Sequence, residues 1–159
     1  MHNFLYAISP QMDSWYSDEE AGGRIVFRWP GDEYVDFMGI DCYQGLNPSA
    51  FKVYIDALSG WAAKKNKPCG VTEDGQESFT LQNYWTTNIL EPLRGTSPCM
   101  VVMWRNKYVG NNESDKHYYS VYKGHPSEND FRTMYDDPET FFSKDLPDMY
   151  KMPEGYSVK

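Results

Sequence analysis

The chain has 159 residues, with 15 Lys and Arg against 23 Asp and Glu and a formal net charge of -8, the size of one ordinary domain. An acidic chain without a basic stripe cannot neutralise a phosphate backbone, which argues against nucleic acid as a partner. No apolar run approaches the about 20 residues of a membrane span.

Phe4 to Ser9 is an apolar run closed by Pro10 and reads as a short buried strand. Residues 10 to 34 mix acids, glycines and prolines and predict loop with a poorly defined helix. Val35 to Asp41 is a second strand, delivering Asp41, Cys42 and Tyr43 to its C-terminal end. Asn47 can cap a helix with Pro48 at its first position. Phe51, Tyr54, Ile55, Leu58, Trp61 and Ala62 then recur at helical spacing, leaving Lys52, Asp56, Lys64 and Lys65 for water.

Pro68 to Thr72 predicts a third strand running into Glu73, Asp74 and Gly75. Leu81, Trp85, Asn88, Ile89 and Leu93 form a second helical stripe, stopped by Gly95 and Pro98. Cys99 to Trp104 is the last strand, followed by Arg105 and a polar loop around Asn111 and Asn112. Ser127 can cap a final helix carrying Phe131, Met134 and Tyr135, and the tail holds Phe141, Phe142 and Leu146.

Alternating strands and helices predict an α/β fold with a parallel sheet, and the continuous apolar strands predict burial on both faces. In such folds the chemistry sits past the C-terminal ends of the strands. Those positions hold Tyr43, Glu73, Trp104 and Arg105. Glu73 is either a carboxylate nucleophile of the kind a retaining glycosidase uses or part of a solvated acidic turn. Tyr43, donating to Glu73, would orient it and favour its charged form; otherwise it is a core tyrosine. Trp104 is a platform for a sugar ring or plain core, and Arg105 a fork of donors for hydroxyls or a salt-bridge partner.

The 26 aromatic residues, 13 Tyr, 8 Phe and 5 Trp, either fill the core or line a cleft suited to sugars. Cys42, Cys69 and Cys99 lack C-x-x-C spacing and read as small buried residues. His2, His117 and His125 are too scattered for a metal triad and read as surface or capping residues, so no metal or cofactor is expected. Asn112-Glu113-Ser114 matches a glycosylation sequon, a pattern frequent by chance. No phosphate-binding glycine loop or G-x-S-x-G motif is present.

Several ordered stretches carry a resemblance: His2 to Pro10, Pro30 to Asp36, Gly39-Ile40-Asp41-Cys42-Tyr43-Gln44, Thr72-Glu73-Asp74-Gly75, Tyr84-Trp85, Val102 to Asn106, Gly124-His125-Pro126 and Asp130-Phe131. With them the chain resembles the C-terminal half of a β-mannanase of glycoside hydrolase family 26. The resemblance implies strands five to eight of a (β/α)8 TIM barrel, so that residues 1–159 form a single partial domain. It implies Glu73 as the nucleophile and Tyr43 as the tyrosine that hydrogen-bonds it. Trp104 would floor the subsite of the cleaved sugar, and Arg105 would touch the next sugar on the non-reducing side.

The resemblance leaves out the half bearing the His-Glu acid/base motif, and a complete barrel is typically about 250 residues. The start at Met1, just ahead of a strand, is the expectation for an interrupted or incomplete reading frame. Negligible hydrolysis by the isolated chain is therefore expected, with pairing to the missing half or self-association through open edges. The implied partner is β-mannan or a related glycan, and the implied location of the full-length protein is secreted, periplasmic or cell-surface. Two other readings stand beside this one: a non-catalytic carbohydrate-binding or interaction domain, and an open flavodoxin-like domain that lacks a phosphate-binding first turn.

Overall fold

The computed structural model describes residues 4–12, 16–107, 117–148, 151, 154 and 155. Four strands, β1 (Ala7–Ile8), β2 (Phe37–Cys42), β3 (Cys69–Asp74) and β4 (Val101–Met103), lie in chain order as one parallel sheet. Parallel neighbours need crossover connections. These are α1 (Asp18–Val26), α2 (Pro48–Lys65), and a π-helical segment Trp85–Leu90 running into the short α3 (Glu91–Leu93). After β4 comes α4 (Glu128–Tyr135).

Helix α2 forms where its local chemistry dictates. The Asn47 side chain accepts the Ala50 N–H at 3.1 Å and Pro48 opens the first turn. At the other end, Asn66 turns left-handed at φ 52 and closes the helix. Its buried face, Phe51, Tyr54, Ile55, Leu58 and Ala62, packs on Met38, Ile40 and Cys42 of β2 and Cys69 and Val71 of β3. Lys65, predicted to point to water, instead keeps only 18% of its side chain exposed. Its ammonium pairs with Asp32 at 2.7 Å and lies 4.7 Å over the Trp29 ring, a long apolar stem covering core while the charge finds a partner.

The helix left ill-defined by the sequence is α1. Ser17 and Glu20 close a capping box, the Ser17 Oγ accepting the Glu20 N–H and the Glu20 carboxylate accepting the Ser17 N–H. This secures α1 against α2, with Ala21 and Ile25 in the core. Ser17→Ala should cost about 1 kcal/mol in urea unfolding; an unchanged midpoint would mean the cap contributes nothing.

A second cluster joins Phe79, Tyr84, Trp85, Ile89, Leu90 and Met134, with Phe131 and Phe142 against it, so much of the aromatic surplus is core. Within the first turn of the π-helical segment, Asp130 takes both the Thr86 N–H, at 3.0 Å, and its hydroxyl, at 2.7 Å. Ser127 precedes α4 but makes no side-chain cap, contrary to the sequence reading. Its hydroxyl is engaged by the Trp85 indole N–H at 2.9 Å and by His125 Nδ1 at 2.8 Å. His125 is accordingly buried, with Nε2 3.0 Å from the Phe79 carbonyl, and is no surface residue.

The sheet departs from prediction in its outer parts. Only Ala7–Ile8 of the first apolar run is strand, and Phe4, Leu5 and Tyr6 are exposed at the sheet edge. The last strand begins at Val101, so Cys99 lies outside it and is exposed, whereas Cys42 and Cys69 are buried as expected. Helices cover one face of the sheet. Burial on both faces does not hold, because Met100, Val102 and Trp104, alternate residues in and flanking β4, are exposed on the other. Phe141 and Leu146 in the tail are also exposed, while Phe142 packs inward. His2 and the Asn111 to Ser114 loop and sequon lie outside the described residues.

Candidate active site

The open face of the sheet is polar near its C-terminal end. Asp41 Oδ1 accepts from the hydroxyls of Ser9 and Thr72, each at 2.8 Å, and Gly39 lies where a Cβ would strike Thr72 at 2.7 Å. The small residue thus lets three strands approach and tie their hydroxyls to one carboxylate.

Above this cluster, β3 carries one residue more than its neighbour. Ile40 stands opposite Val71, but Asp41 stands opposite Glu73 and Cys42 opposite Asp74, so Thr72 is the extra residue of a bulge. Strict alternation would send Glu73, two residues from the core residue Val71, into the helix layer. The bulge reverses that. Glu73 joins Asp41 and Thr72 on the open face, and Asp74 joins Cys42 in the interior.

Glu73 is half-buried there, and the Tyr43 hydroxyl donates to its Oε2 at 2.8 Å. Tyr43 stands just past β2 and is pushed toward its neutral, hydrogen-donating form, first by burial and then by the Glu73 carboxylate it faces. The arrangement rules out a solvated acidic turn, since Asp74 is only 2% exposed. Its Oδ1 accepts the Gly75 N–H at 2.6 Å, while Oδ2 has no hydrogen-bonding partner among the described residues. Burial raises the Asp74 pKa to about 7, opposed only by the Gly75 bond.

Trp104 follows β4 directly, held by its N–H on the Asp74 carbonyl at 2.8 Å, and the residue is 37% exposed. The Arg105 guanidinium lies 5.9 Å from the centre of that ring, and its side chain is exposed, with no salt bridge to another described residue. An exposed indole flanked by a fork of donors can bind a flat, hydroxylated ligand through its C–H face and its hydroxyls together. The four residues singled out from the sequence therefore collect at one rim of the sheet, Tyr43 and Glu73 in contact, Trp104 and Arg105 just past the adjacent strand.

Tyr119 was missed. It returns to the site after the polar loop, its ring edge-on to Tyr43 with centroids 6.2 Å apart. Asn106 fixes that return, its Oδ1 accepting the N–H groups of Tyr119 at 3.0 Å and Ser120 at 2.9 Å. Only the Asn after Trp104-Arg105, a residue prone to bonding nearby backbone, hints at it in the sequence.

A cavity of about 610 Å³ lies elsewhere, between β4, the π-helical segment and α4, lined by apolar groups such as Trp85, Leu93, Met103 and Phe131. Among the described residues no group of three or more His, Cys, Asp and Glu is placed to hold a metal. Nor is any described helix long and apolar enough to cross a membrane.

No family model matches the chain. Among solved structures it is similar to a family 26 β-mannanase from Bacteroides ovatus, with a TM-score of 0.78 and 28% identity over 99% of this chain and 44% of that one. It is also similar to a family 26 protein from a Muricauda species, TM-score 0.76 and 26% identity over 95% of this chain and 41% of that one. The modular endo-β-1,4-mannanase of Cellulomonas fimi, at 24% identity, shares the fold with a TM-score of 0.70 over 91% of this chain and 33% of that one. The chain spans less than half the length of each of these. Its α/β fold, a four-stranded parallel sheet with helical crossovers, is thus that of part of a family 26 glycoside hydrolase barrel.

Proposed function

We propose that these 159 residues are one partial domain, strands five to eight, of a retaining β-1,4-mannan-hydrolysing barrel. Glu73 is its nucleophile, Tyr43 the residue that orients it, Trp104 the floor beneath the cleaved sugar and Arg105 a contact to the next sugar. The observation that carries this reading is the 2.8 Å hydrogen bond from Tyr43 to Glu73 at the C-terminal rim of a parallel sheet similar to mannanase structures.

The chemistry follows from one carboxylate facing the anomeric carbon. A Glu73 oxygen forms a bond to that carbon as the glycosidic bond breaks, and its electron pair leaves on the departing oxygen, which takes a proton from a second carboxyl. Water then displaces Glu73, a second inversion that restores the original configuration. Retention needs the two carboxyls about 5 to 5.5 Å apart. We assign no acid/base within this chain, so by itself it should hydrolyse mannan negligibly. Its partners are β-mannan and the complementary strands, or a second copy through the open edges. In the full-length protein a polymeric substrate implies a secreted, periplasmic or cell-surface location.

The test is co-expression with the first-half strands of the Bacteroides ovatus mannanase and an assay of reducing sugar released from mannan. Release by the pair, and not by either piece, supports the reading; a folded pair with no release on any β-glycan overturns it. Trp104→Ala in that pair should weaken mannooligosaccharide binding by about tenfold, measured by calorimetry. Binding that depends on Trp104 without any turnover would favour the carbohydrate-binding alternative.

A further inference from the structure

Tyr119 has two contacts that flank the catalytic carboxylate without touching it. Its ring meets Tyr43 edge to face, with centroids 6.2 Å apart and planes at 77°. It also lies against Gly75, where a Cβ would fall 2.8 Å from its Cδ1. Gly75, at φ +140, is a conformation that only glycine adopts easily, two residues beyond Glu73. The Tyr119 ring therefore fills the angle between the residue that bonds Glu73 and the turn that ends its strand.

The ring is itself held from outside. The Tyr119 hydroxyl is 3.5 Å from one oxygen of Glu77, and the other Glu77 oxygen pairs with His117 Nδ1. The Ser78 N–H donates to the Tyr118 carbonyl at 2.7 Å, so the turn after β3 and the chain returning after β4 are joined at two adjacent residues. Burial and the Glu77 charge both hold the Tyr119 phenol in its neutral form.

Resting on the function proposed above, we propose that Tyr119 is a positioning residue for Glu73, its ring bracing Tyr43 and the Gly75 turn, with Glu77 a secondary clasp on its hydroxyl. Tyr43 offers its hydroxyl from a side chain with two rotatable bonds. Its donor reaches Glu73 at a fixed angle only when the ring cannot swing, and small losses of alignment at a reacting group are costly. The aromatic body of Tyr119 supplies the restraint, and its hydroxyl is secondary.

The test uses the full chain completed by the first-half strands and a 2,4-dinitrophenyl 2-deoxy-2-fluoro-β-mannobioside, whose leaving group needs no proton. A Glu73 oxygen bonds to the anomeric carbon as the bond to dinitrophenolate breaks and its electron pair leaves with that anion. The fluorine slows hydrolysis of the adduct, which peptide mass spectrometry locates. Tyr119→Ala should lower the labelling rate at saturating reagent by about 10- to 100-fold, with half-saturation changed by less than about twofold. Tyr119→Phe, which keeps the ring, and Glu77→Gln, whose contact acts through the hydroxyl, should both stay within about threefold of the parent. Equal rates for Tyr119→Ala and the parent overturn the proposal. So does a loss confined to half-saturation, which would make Tyr119 a ligand contact, or a Phe variant as slow as Ala. A thermal melt of each variant separates these outcomes from misfolding, Tyr119→Leu, which also removes the aromatic ring, carrying the test should Tyr119→Ala unfold. A parent not labelled at Glu73 removes the nucleophile assignment and this inference with it.

Discussion

In the completed barrel, Glu73→Ala should lower mannan hydrolysis by about four orders of magnitude or more, with little change in thermal stability. The loss is large because, in the role proposed above, the residue forms the covalent bond of the intermediate, and removing such a group forfeits its share of the transition state outright. Stability should hold because the side chain lies half-buried on the open face and, among the described residues, the Tyr43 hydroxyl is its one hydrogen-bonding partner. The chemistry also gives a positive readout. With the carboxylate gone, azide can enter the space it vacates and attack the anomeric carbon of 2,4-dinitrophenyl β-mannobioside as the dinitrophenolate departs. A single displacement inverts, so the product is an α-mannobiosyl azide, identifiable by NMR. A variant retaining more than about a tenth of parental activity, or azide giving no such product, would remove Glu73 from the role.

The sequence was legible where local rules and the fold agree. Asn47-Pro48 with a helical apolar stripe predicted where α2 starts and which face it buries, because cap, first-turn proline and buried face all point to one structure. Strands β2 and β3 were legible as apolar runs for the same reason. The first helix was obscured by Gly22 and Gly23, poor helix formers, although Ser17 and Glu20 already spelled its capping box. Gly22 has its own use there, since a Cβ would sit 3.3 Å from the Trp61 indole nitrogen of the helix packed against it.

The candidate site was legible as a set of residues at strand ends but not in its orientation. Period-two reading from Val71 sends Glu73 inward and Asp74 outward, the reverse of what the bulge at Thr72 produces. Nothing in the residue types of Thr72-Glu73-Asp74 marks the extra residue; it becomes visible only in the register against β2 and β4. Tyr119 was hidden for a different reason. It reaches the site by tertiary return of a loop, and sequence distance from Glu73 carries no signal of that. The exposure of Cys99 and of Phe4 to Tyr6 reflects the same limit, because an apolar run shows what can be buried and not how far the sheet extends.

The inward turn of Asp74 has a thermodynamic consequence large enough to measure. Its pKa is near 3.8 in a solvated chain and about 7 in the folded protein, where burial disfavours the charge and one N–H from Gly75 only partly offsets it. Below pH about 4 both states hold the proton and nothing is lost. Between about 4 and 7 the unfolded chain releases a proton that the folded chain keeps. Folded molecules then bind more protons, and stability falls by about 1.4 kcal/mol per pH unit as pH rises. The cumulative loss is about 4 kcal/mol and levels off above pH 7, a large part of the margin of an ordinary domain. Cys42 and Tyr84, the titratable groups that face Asp74 from β2 and from the residue preceding the π-helical segment, stay neutral across this window because burial pushes both upward. Asp74→Asn keeps the shape and an oxygen for the Gly75 N–H but has no proton to lose. Urea unfolding from pH 4 to 8 should therefore show the parent falling and the variant nearly flat, the two close at pH 4 and separated by up to about 4 kcal/mol at pH 8. A variant that follows the parental slope would mean that Asp74 is ionised in the folded chain, and that the bulge places its carboxylate within reach of water.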